Sequence, residues 1–264
     1  MDTQTTTNTG GATDHLSPAA EALLAAPDLF MSLKHTRIAR VVIEGQPVFF
    51  TIANRRDRIQ GHQMRGSFYE PRELQIIARY FPKGGVFCDA GANVGNHSLY
   101  ALKYLNAASA IAFEPNPAAY ELLLSNMVLN GVLDRIDPTT LGYGLTDSAN
   151  APAMALATRD KNLGATQLVS VAEVGSIQVR RGDDLLAGRH IDFLKVDVEG
   201  MELEVLRGLQ GTITTCHPPI FVEVDHSNNA ALLAWAAEIG YGVAVEGRSF
   251  KKNRNILLAP RPQT

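Results

Sequence analysis

The sequence has few cysteines, no long apolar run and no excess of either charge. Cys88 and Cys216 are its two cysteines, and they fit neither a metal site nor a disulfide framework, which favours a reducing compartment. No stretch approaches the ~18 apolar residues that cross a membrane. The 24 basic and 27 acidic residues give a net charge of -3. No global basic field is therefore present to hold a nucleic-acid backbone.

The first residues, MDTQTTTNTGGATD, lack the basic segment and apolar segment of a secretory signal. The sequence therefore predicts a cytoplasmic protein with no membrane span and no nucleic-acid partner. Two short basic runs, at 55–58 and 251–254, are interpreted as solvated surface because each holds only a few charges.

The composition of the chain changes along its length and predicts three parts. Residues 1–17 are small and polar with almost nothing to bury, and they are predicted to be a disordered tail. Residues 18–80 are predicted to be an extension made of an N-terminal helix, a β-hairpin and a further helix. Residues 81–264 are predicted to be the main domain, with an insertion at about 146–185.

Short apolar runs alternate with helical patterns in this main domain, which predicts a mainly parallel sheet covered on both faces. The last two runs, 241–247 and 254–260, are joined by the six residues RSFKKN. That link is too short for a parallel crossover, so the two runs are predicted to pair as an antiparallel hairpin. The expected fold is a Rossmann-like α/β sheet. The insertion is expected to lie over the strand ends, where ligands bind.

A loop with two glycines follows the first strand of this sheet. Residues 89–98 read DAGANVGNHS and lead into a helix. Glycine permits a tight turn, and a helix N-terminus offers N–H groups to a polar or negative ligand. Glu114 ends the next strand, where a carboxylate accepts hydrogen bonds from ribose hydroxyls. These features together predict a nucleoside site, and the alternative is an ordinary strand–helix turn with a surface glutamate.

The acid at Asp89 bears on the kind of nucleoside. A carboxylate there repels a pyrophosphate but binds an ammonium group, and the loop lacks the third glycine of G-x-G-x-x-G. S-adenosylmethionine has an amino group and no phosphate, so it is favoured over NAD. Two alternatives stay open, namely an NAD-dependent oxidoreductase on a doubly wound sheet and a non-catalytic cofactor-binding protein.

Charged residues gather at the ends of two later strands. Lys195 and Asp197 share one face of a strand, and Glu199 follows. Charges in an apolar strand are costly unless paired or used, so these residues are catalytic candidates or a structural ion pair. His226, after the next strand, is a candidate general base or a helix-entry residue. The candidate ligands for a Mg²⁺ that would acidify an acceptor hydroxyl are Asp197, Glu199 and Glu223.

Together these stretches resemble the FkbM family of methyltransferases, over about residues 36–260. The most specific correspondence is IDFLKVDVEGMELEVLRGL (191–209). The resemblance implies a class I S-adenosylmethionine-dependent methyltransferase that methylates hydroxyls of sugars, glycans or natural products. The other matching pieces are FYE (68–70), VFCDAGANVGNHSLY (86–100), AFEPNP (112–117), the helix end at 126–131, DDLL (183–186) and PIFVEVDH (219–226).

The resemblance also implies a role for each matched position. Asp197 would lie nearest the transferred methyl group. From its position at the strand end, Asp197 is separately predicted to orient or deprotonate the acceptor hydroxyl, directly or through a metal, with Lys195 keeping it ionised. The implied partner is a small-molecule or glycan acceptor. The implied cofactor-binding residues are Asp89, Gly91, Asn93 and Gly95 at the methionine end and Glu114 and Asn116 at the adenosine end.

Overall fold

A computed structural model describes residues 36–149, 154–158, 166–170 and 177–262 of the chain. The predicted tail and N-terminal helix, and part of the insertion, lie outside these ranges. The strands are β1 (Arg37–Ile43), β2 (Gln46–Ile52), β3 (Val86–Ala90), β4 (Ser109–Phe113), β5 (Ile136–Asp137), β6 (Tyr143–Thr146), β7 (Met154–Thr158), β8 (Thr166–Ser170), β9 (Gln178–Arg181), β10 (Phe193–Val196), β11 (Ile220–Asp225), β12 (Tyr241–Ser249) and β13 (Asn253–Pro260). The helices are α1 (Arg58–Met64), α2 (Pro71–Tyr80), α3 (Asn96–Tyr104), α4 (Pro117–Leu129), α5 (Gly182–Leu185), α6 (Glu202–Gly208), α7 (Gln210–Cys216) and α8 (Asn229–Glu238), with short 3-10 turns at Leu133–Arg135 and Pro138–Thr140.

A seven-stranded sheet organises the main domain, in the order β12-β13-β11-β10-β3-β4-β5. β10 pairs in parallel with β3 and β11, whereas β13 is antiparallel to both β11 and β12. The prediction of a mostly parallel Rossmann-like sheet with a C-terminal antiparallel hairpin is confirmed. Because β12 runs parallel to β11, the turn from β12 to β13 lies at the carboxyl edge of the sheet.

Residues of the central strands alternate between two apolar cores on opposite faces. Phe87 and Phe193 belong to the first core and stack with their ring centroids 5.6 Å apart. Cys88 and Leu194 belong to the second. The first core includes residues of β2, α2, α3 and α4, and the second includes residues of α6, α7 and α8. The strands are nearly continuously apolar because both faces are covered.

The hairpin of β1 and β2 shares the first core with the main domain. Two asparagines bond the backbone of this hairpin: Asn126 on α4, and Asn130 directly after the end of that helix. The side chain of Asn126 accepts from the amide of Thr51 at 2.7 Å. The side chain of Asn130 accepts from the amide of Phe49 at 3.1 Å and donates to its carbonyl at 2.7 Å. These amide groups satisfy backbone groups of β2 that a neighbouring strand would otherwise pair.

Two consecutive helices, α6 and α7, extend from Glu202 to Cys216 with Leu209 between them. Helix α1 was not predicted, and it begins where the Asp57 carboxylate caps it by accepting from the amide of Gln60 at 3.0 Å. Within the described ranges no helix is long and apolar enough to cross a membrane.

Candidate functional site

A cavity of about 480 Å³ lies at the carboxyl edge of the sheet, within the size range of small-molecule sites. Two walls border this cavity. The strand-end wall follows β3, β4 and β10 and consists of Gly91, Ala92, Asn93, Glu114, Pro115, Lys195, Asp197, Val198 and Glu199. The flanking wall comes from the chain before β3 and from the turn after β12, and consists of Arg58, Ile59, Tyr69, Glu70, Phe250, Lys251, Lys252 and Asn253.

A buried lysine joins two parts of the strand-end wall. Lys195 lies directly beside Asp89 in the parallel pair of β10 and β3. Its Nζ atom is 3.1 Å from Asp89 Oδ1 and 3.7 Å from Asp197 Oδ2, and it donates to the carbonyl of Gly91 at 2.7 Å. Burial lowers the pKa of Lys195, but the carboxylates of Asp89 and Asp197 more than offset this and raise it. The ammonium group therefore stays charged.

Asp89, predicted to line the methionine end, is fully buried and is absent from the cavity lining found among the described residues. Its carboxylate contacts Lys195 and accepts from the hydroxyl of Ser98 at 2.6 Å. It is thus placed to fix the lysine and the start of α3.

The two loop glycines allow the loop to pack closely against the protein itself. Both have positive φ, 78° at Gly91 and 79° at Gly95. A Cβ atom on Gly91 would lie 1.8 Å from the carbonyl oxygen of Asp197, and one on Gly95 would lie 2.8 Å from Cγ of Leu123. A side chain at either position would therefore push the loop away from β10 or α4.

Glu114 lines the cavity with 8% of its surface exposed. Its two carboxylate oxygens accept from the amides of Asn93 at 2.8 Å and Asn116 at 2.9 Å. Asn116 also caps α4 by accepting from the amide of Ala118 at 3.1 Å. Burial raises the pKa of Glu114 to about 7, against the effect of the two backbone hydrogen bonds. A carboxylate has about four lone-pair positions, so positions remain for hydroxyl donors.

Four further carboxylates line the cavity: Glu70, Asp197, Glu199 and Glu223. Burial raises the pKa of Glu70 to about 8, of Glu199 to about 7 and of Glu223 to about 9, and repulsion by Asp197 is the next cause in each case. Asn253 donates to Glu223. In the part of the chain that is described, no three His, Cys, Asp or Glu side chains are grouped to hold a metal ion. The Mg²⁺ alternative therefore has no support from the geometry.

His226 lies apart from these carboxylates. It is exposed, its Nε2 atom is 2.9 Å from the carbonyl oxygen of Phe250, and it does not belong to the cavity lining as the described residues define it. The described part of the insertion at 146–185 likewise supplies no lining residue. The segment just before it contributes Tyr143, Gly144 and Leu145.

The interpretation of the two basic runs as solvated surface was incomplete. Arg58, Lys251 and Lys252 are exposed, but they also line the cavity. Arg58 begins α1, and the two lysines lie in the turn that β12 carries to the carboxyl edge. Their charges therefore act on the cavity.

Several cavity residues were given no role by the sequence reasoning, among them Tyr69, Glu70 and His97. Asn96 holds Tyr69 at two points, since its side chain accepts from the Tyr69 amide at 3.0 Å and donates to the Tyr69 carbonyl at 3.1 Å. His97 Nε2 is 3.7 Å from Glu70 Oε2. The FYE match at 68–70, directly before a proline-initiated helix, was the sequence signal for this region.

The sheet order, with β13 inserted antiparallel beside β11, and the loop after β3 define a class I methyltransferase arrangement. Residues 89–243 match a family model described as the methyltransferase FkbM domain. This match covers more than half of the chain, and the chain therefore belongs to the FkbM family of methyltransferases. The family prediction is confirmed, and the alternative of an NAD-dependent oxidoreductase is wrong. The flanking wall lies outside residues 89–243.

The chain is also similar to curated relatives and to a solved structure. The chain is 27% identical over 178 residues to the hexuronic acid methyltransferase AglP of Haloferax volcanii, covering 65% of this chain and 68% of that one. It is 31% identical over 156 residues to the 31-O-demethyl-FK506 methyltransferase FkbM of Streptomyces tacrolimicus, covering 48% and 60%. Methyltransferase FkbM from Methylobacillus flagellatus KT aligns with a TM-score of 0.47 and 18% identity, covering 66% of this chain and 43% of that one.

Proposed function

We propose that this methyltransferase uses S-adenosylmethionine to methylate a hydroxyl oxygen of a sugar or a related natural product. The observation that carries the proposal is the buried Glu114 carboxylate at the cavity, held by the amides of Asn93 and Asn116. A carboxylate held in this way at the end of β4 can accept hydrogen bonds from the two hydroxyls of a ribose. When bound, S-adenosylmethionine supplies a methyl group on a sulfonium, which is an electrophile for oxygen.

The other residues of the cavity fit a nucleoside beside Glu114. The backbone amide of Gly142 donates to the backbone carbonyl of Glu114 at 3.0 Å, which holds the start of β6 beside the end of β4. Tyr143, Leu145 and Pro115 are cavity-lining side chains with apolar surface for a base. The charged Lys195 fixes the loop carbonyl of Gly91 and orients Asp197 at the same edge. Asp197 is proposed to orient the acceptor.

An acidic sugar suits the flanking wall. Arg58, Lys251 and Lys252 are exposed cations at the cavity, and an acceptor carboxylate would pair with them. One relative is named for methylating a hexuronic acid, and the other is named for a 31-O-demethyl compound. Both names fit an oxygen acceptor.

The test has a binding arm and a turnover arm. Calorimetry with S-adenosylmethionine, S-adenosylhomocysteine and NAD should give micromolar-range affinity for the first two, on the order of -7 to -8 kcal/mol, and no heat with NAD. Transfer of radiolabelled methyl groups is then measured to glucuronic acid, glucose, a macrolide polyol and tRNA. Glucuronic acid and glucose form a matched pair that differs in the carboxylate. Absence of S-adenosylmethionine binding, or no methylation of either sugar or of the polyol, would overturn the proposal.

A further inference from the structure

Glu70 reaches the cavity from outside the family domain. It precedes Pro71 at the start of α2 and has a left-handed backbone, with φ of 56°. A non-glycine residue in this conformation costs about 1–3 kcal/mol, and such strain concentrates at functional sites. The Glu70 side chain makes no capping bond to α2. The carboxylate is therefore not used at the helix end, and Glu70 lines the cavity.

Glu70 and His97 are held in a fixed relation by their neighbours in the chain. Tyr69 and Asn96, which directly precede them, are joined by two hydrogen bonds of 3.0 and 3.1 Å. Because both bonds involve the Tyr69 backbone, the segment that carries Glu70 cannot move away from the segment that carries His97 without breaking them. The Glu70 carboxylate and the His97 imidazole therefore lie side by side where the two walls meet.

His97 has a polar atom that points to a ligand. The residue is 6% exposed and lines the cavity, and its Nε2 atom makes no hydrogen bond within the described ranges. Its 3.7 Å separation from Glu70 Oε2 is too long for a direct hydrogen bond. A buried polar atom without a partner costs about 1–3 kcal/mol. A hydroxyl oxygen placed about 2.8 Å from both atoms would bond both.

We infer that Glu70 and His97 bind the acceptor hydroxyl between them and that Glu70 takes its proton. The inference rests on the proposed function. As the acceptor oxygen bonds to the methyl carbon, its O–H bond breaks and the proton passes to Oε2 of Glu70. The bond between sulfur and the methyl carbon breaks at the same time, and its electron pair stays on sulfur. His97 holds the acceptor oxygen through Nε2 during the transfer.

The surroundings favour Glu70 over Asp197 as the proton acceptor. Asp197 lies 3.7 Å from the charged Nζ of Lys195, and the two groups form an ion pair. Burial, followed by repulsion from Asp197 and Glu73, raises the pKa of Glu70 to about 8. A base that titrates near neutral pH is suited to proton transfer. Burial and then Lys195 lower the pKa of His97 to about 3, so the imidazole stays neutral.

The substitution Glu70→Gln tests the assignment, with Glu238→Gln on the exposed end of α8 as the matched control. Glu70→Gln is expected to keep the affinities for S-adenosylmethionine and S-adenosylhomocysteine within twofold by calorimetry. It should lower turnover of the best acceptor in the panel by roughly 10²–10⁴-fold. His97→Phe removes one hydrogen bond to the acceptor and should raise KM about 2- to 10-fold with a smaller change in kcat.

A pH profile distinguishes a base from a structural residue. The charged or titratable groups that face Glu70 are listed by element: the adjacent Tyr69, Glu73 on α2, Arg58 on α1, His97 on α3, Lys195 and Asp197 at the end of β10, and Glu223 on β11. Turnover should rise with pH as Glu70 ionises. Glu73→Gln removes a repulsion and should move this rise to lower pH, whereas Glu238→Gln should leave it in place.

Three outcomes would overturn the inference. Turnover by Glu70→Gln within threefold of the unsubstituted enzyme would show that Glu70 is not the base, while the proposed function would stand. A pH profile that Glu73→Gln leaves unmoved would have the same meaning. If the unsubstituted enzyme binds S-adenosylmethionine but methylates nothing in the panel, or does not bind it, the proposed function fails and this assignment fails with it.

Discussion

The two walls of the cavity differ in how they are built. The strand-end wall is held from within: Lys195, 2% exposed, is paired with a fully buried aspartate, and Glu114 is fixed by two amides. The flanking wall has exposed cations and is joined to the main domain at Asn96. The first wall lies within the matched family domain and the second lies outside it. Such a division would let the strand-end wall keep one methyl-transfer chemistry while the flanking wall varies with the acceptor.

The largest effect is expected from loss of the buried Lys195, on which the strand-end wall depends. Lys195→Met leaves the Asp89 carboxylate buried without its cation, which should cost about 3–5 kcal/mol of unfolding free energy in urea titrations. Adding Asp89→Asn removes the uncompensated charge and should recover part of the loss. A loss below about 1 kcal/mol in the single variant would mean that the strand-end wall does not depend on this pair.

Glu114→Ala should separate cofactor binding from acceptor binding. Removal of the carboxylate should weaken S-adenosylmethionine binding by roughly 1.5–3 kcal/mol, the size of charge-assisted hydrogen bonds, as measured by calorimetry. Circular dichroism checks that the fold is intact, and Glu238→Ala serves as the surface control. Unchanged affinity in a folded Glu114→Ala protein would contradict the ribose assignment.

Asn96→Ala cuts the link between the walls. Two hydrogen bonds to the backbone of Tyr69 are lost, so the free energy of unfolding should fall by about 1–2 kcal/mol. The KM for the acceptor should rise more than the Kd for S-adenosylmethionine. Equal effects on both ligands would indicate that the walls do not act separately.

The smallest expected effect is on the pH dependence of stability. Glu70 and Glu223 have pKa values raised to about 8 and about 9, so the folded state binds more protons than the unfolded chain. Their contribution is complete below the ordinary value of 4.5 and is lost as pH rises through the folded pKa.

Burial lowers the pKa of His97 to about 3, so the unfolded chain binds its proton more readily than the folded state does. This makes the free energy of unfolding rise with pH up to the ordinary value of 6.5 and has no further effect above it. The free energy of unfolding should therefore begin to fall above about pH 4.5, because two raised carboxyls outweigh one histidine, and it should fall most steeply between about pH 6.5 and 9. Glu70→Gln should make the fall shallower. A flat or rising profile would argue against the cluster of raised carboxylates.

The sequence predicted the sheet and the strand-end wall because local patterns encode both. Apolar runs at 86–91 and 191–197 marked strands covered on both faces, and the loop at 89–98 followed directly. The antiparallel hairpin followed from a link too short for a crossover. Asp89 was expected to contact the ligand because the sequence around it does not show its partner. That partner, Lys195, lies more than 100 residues later and comes beside Asp89 only when β10 pairs with β3.

The flanking wall escaped prediction because its parts are far apart in sequence. Glu70 and Lys252 are brought to one cavity by the sheet, and no local pattern links them. The position of the lysines was nevertheless deducible, since a hairpin whose first strand is parallel to the sheet must turn at the carboxyl edge. Helix α1 was not predicted because its seven residues show no clear apolar periodicity, and its cap at Asp57 is a single residue.

The asparagine contacts between α4 and β2 also link the hairpin to the loop. Besides accepting from the Thr51 amide, Asn126 donates to the carbonyl of Val94 at 2.9 Å, within the loop after β3. The amide hydrogen of Thr51 can therefore exchange with solvent only when a contact shared with that loop opens. A ligand that stabilises the loop would slow the exchange of the Thr51 amide hydrogen. The exchange rate of this amide would therefore report whether the cavity is occupied, without any measurement of turnover.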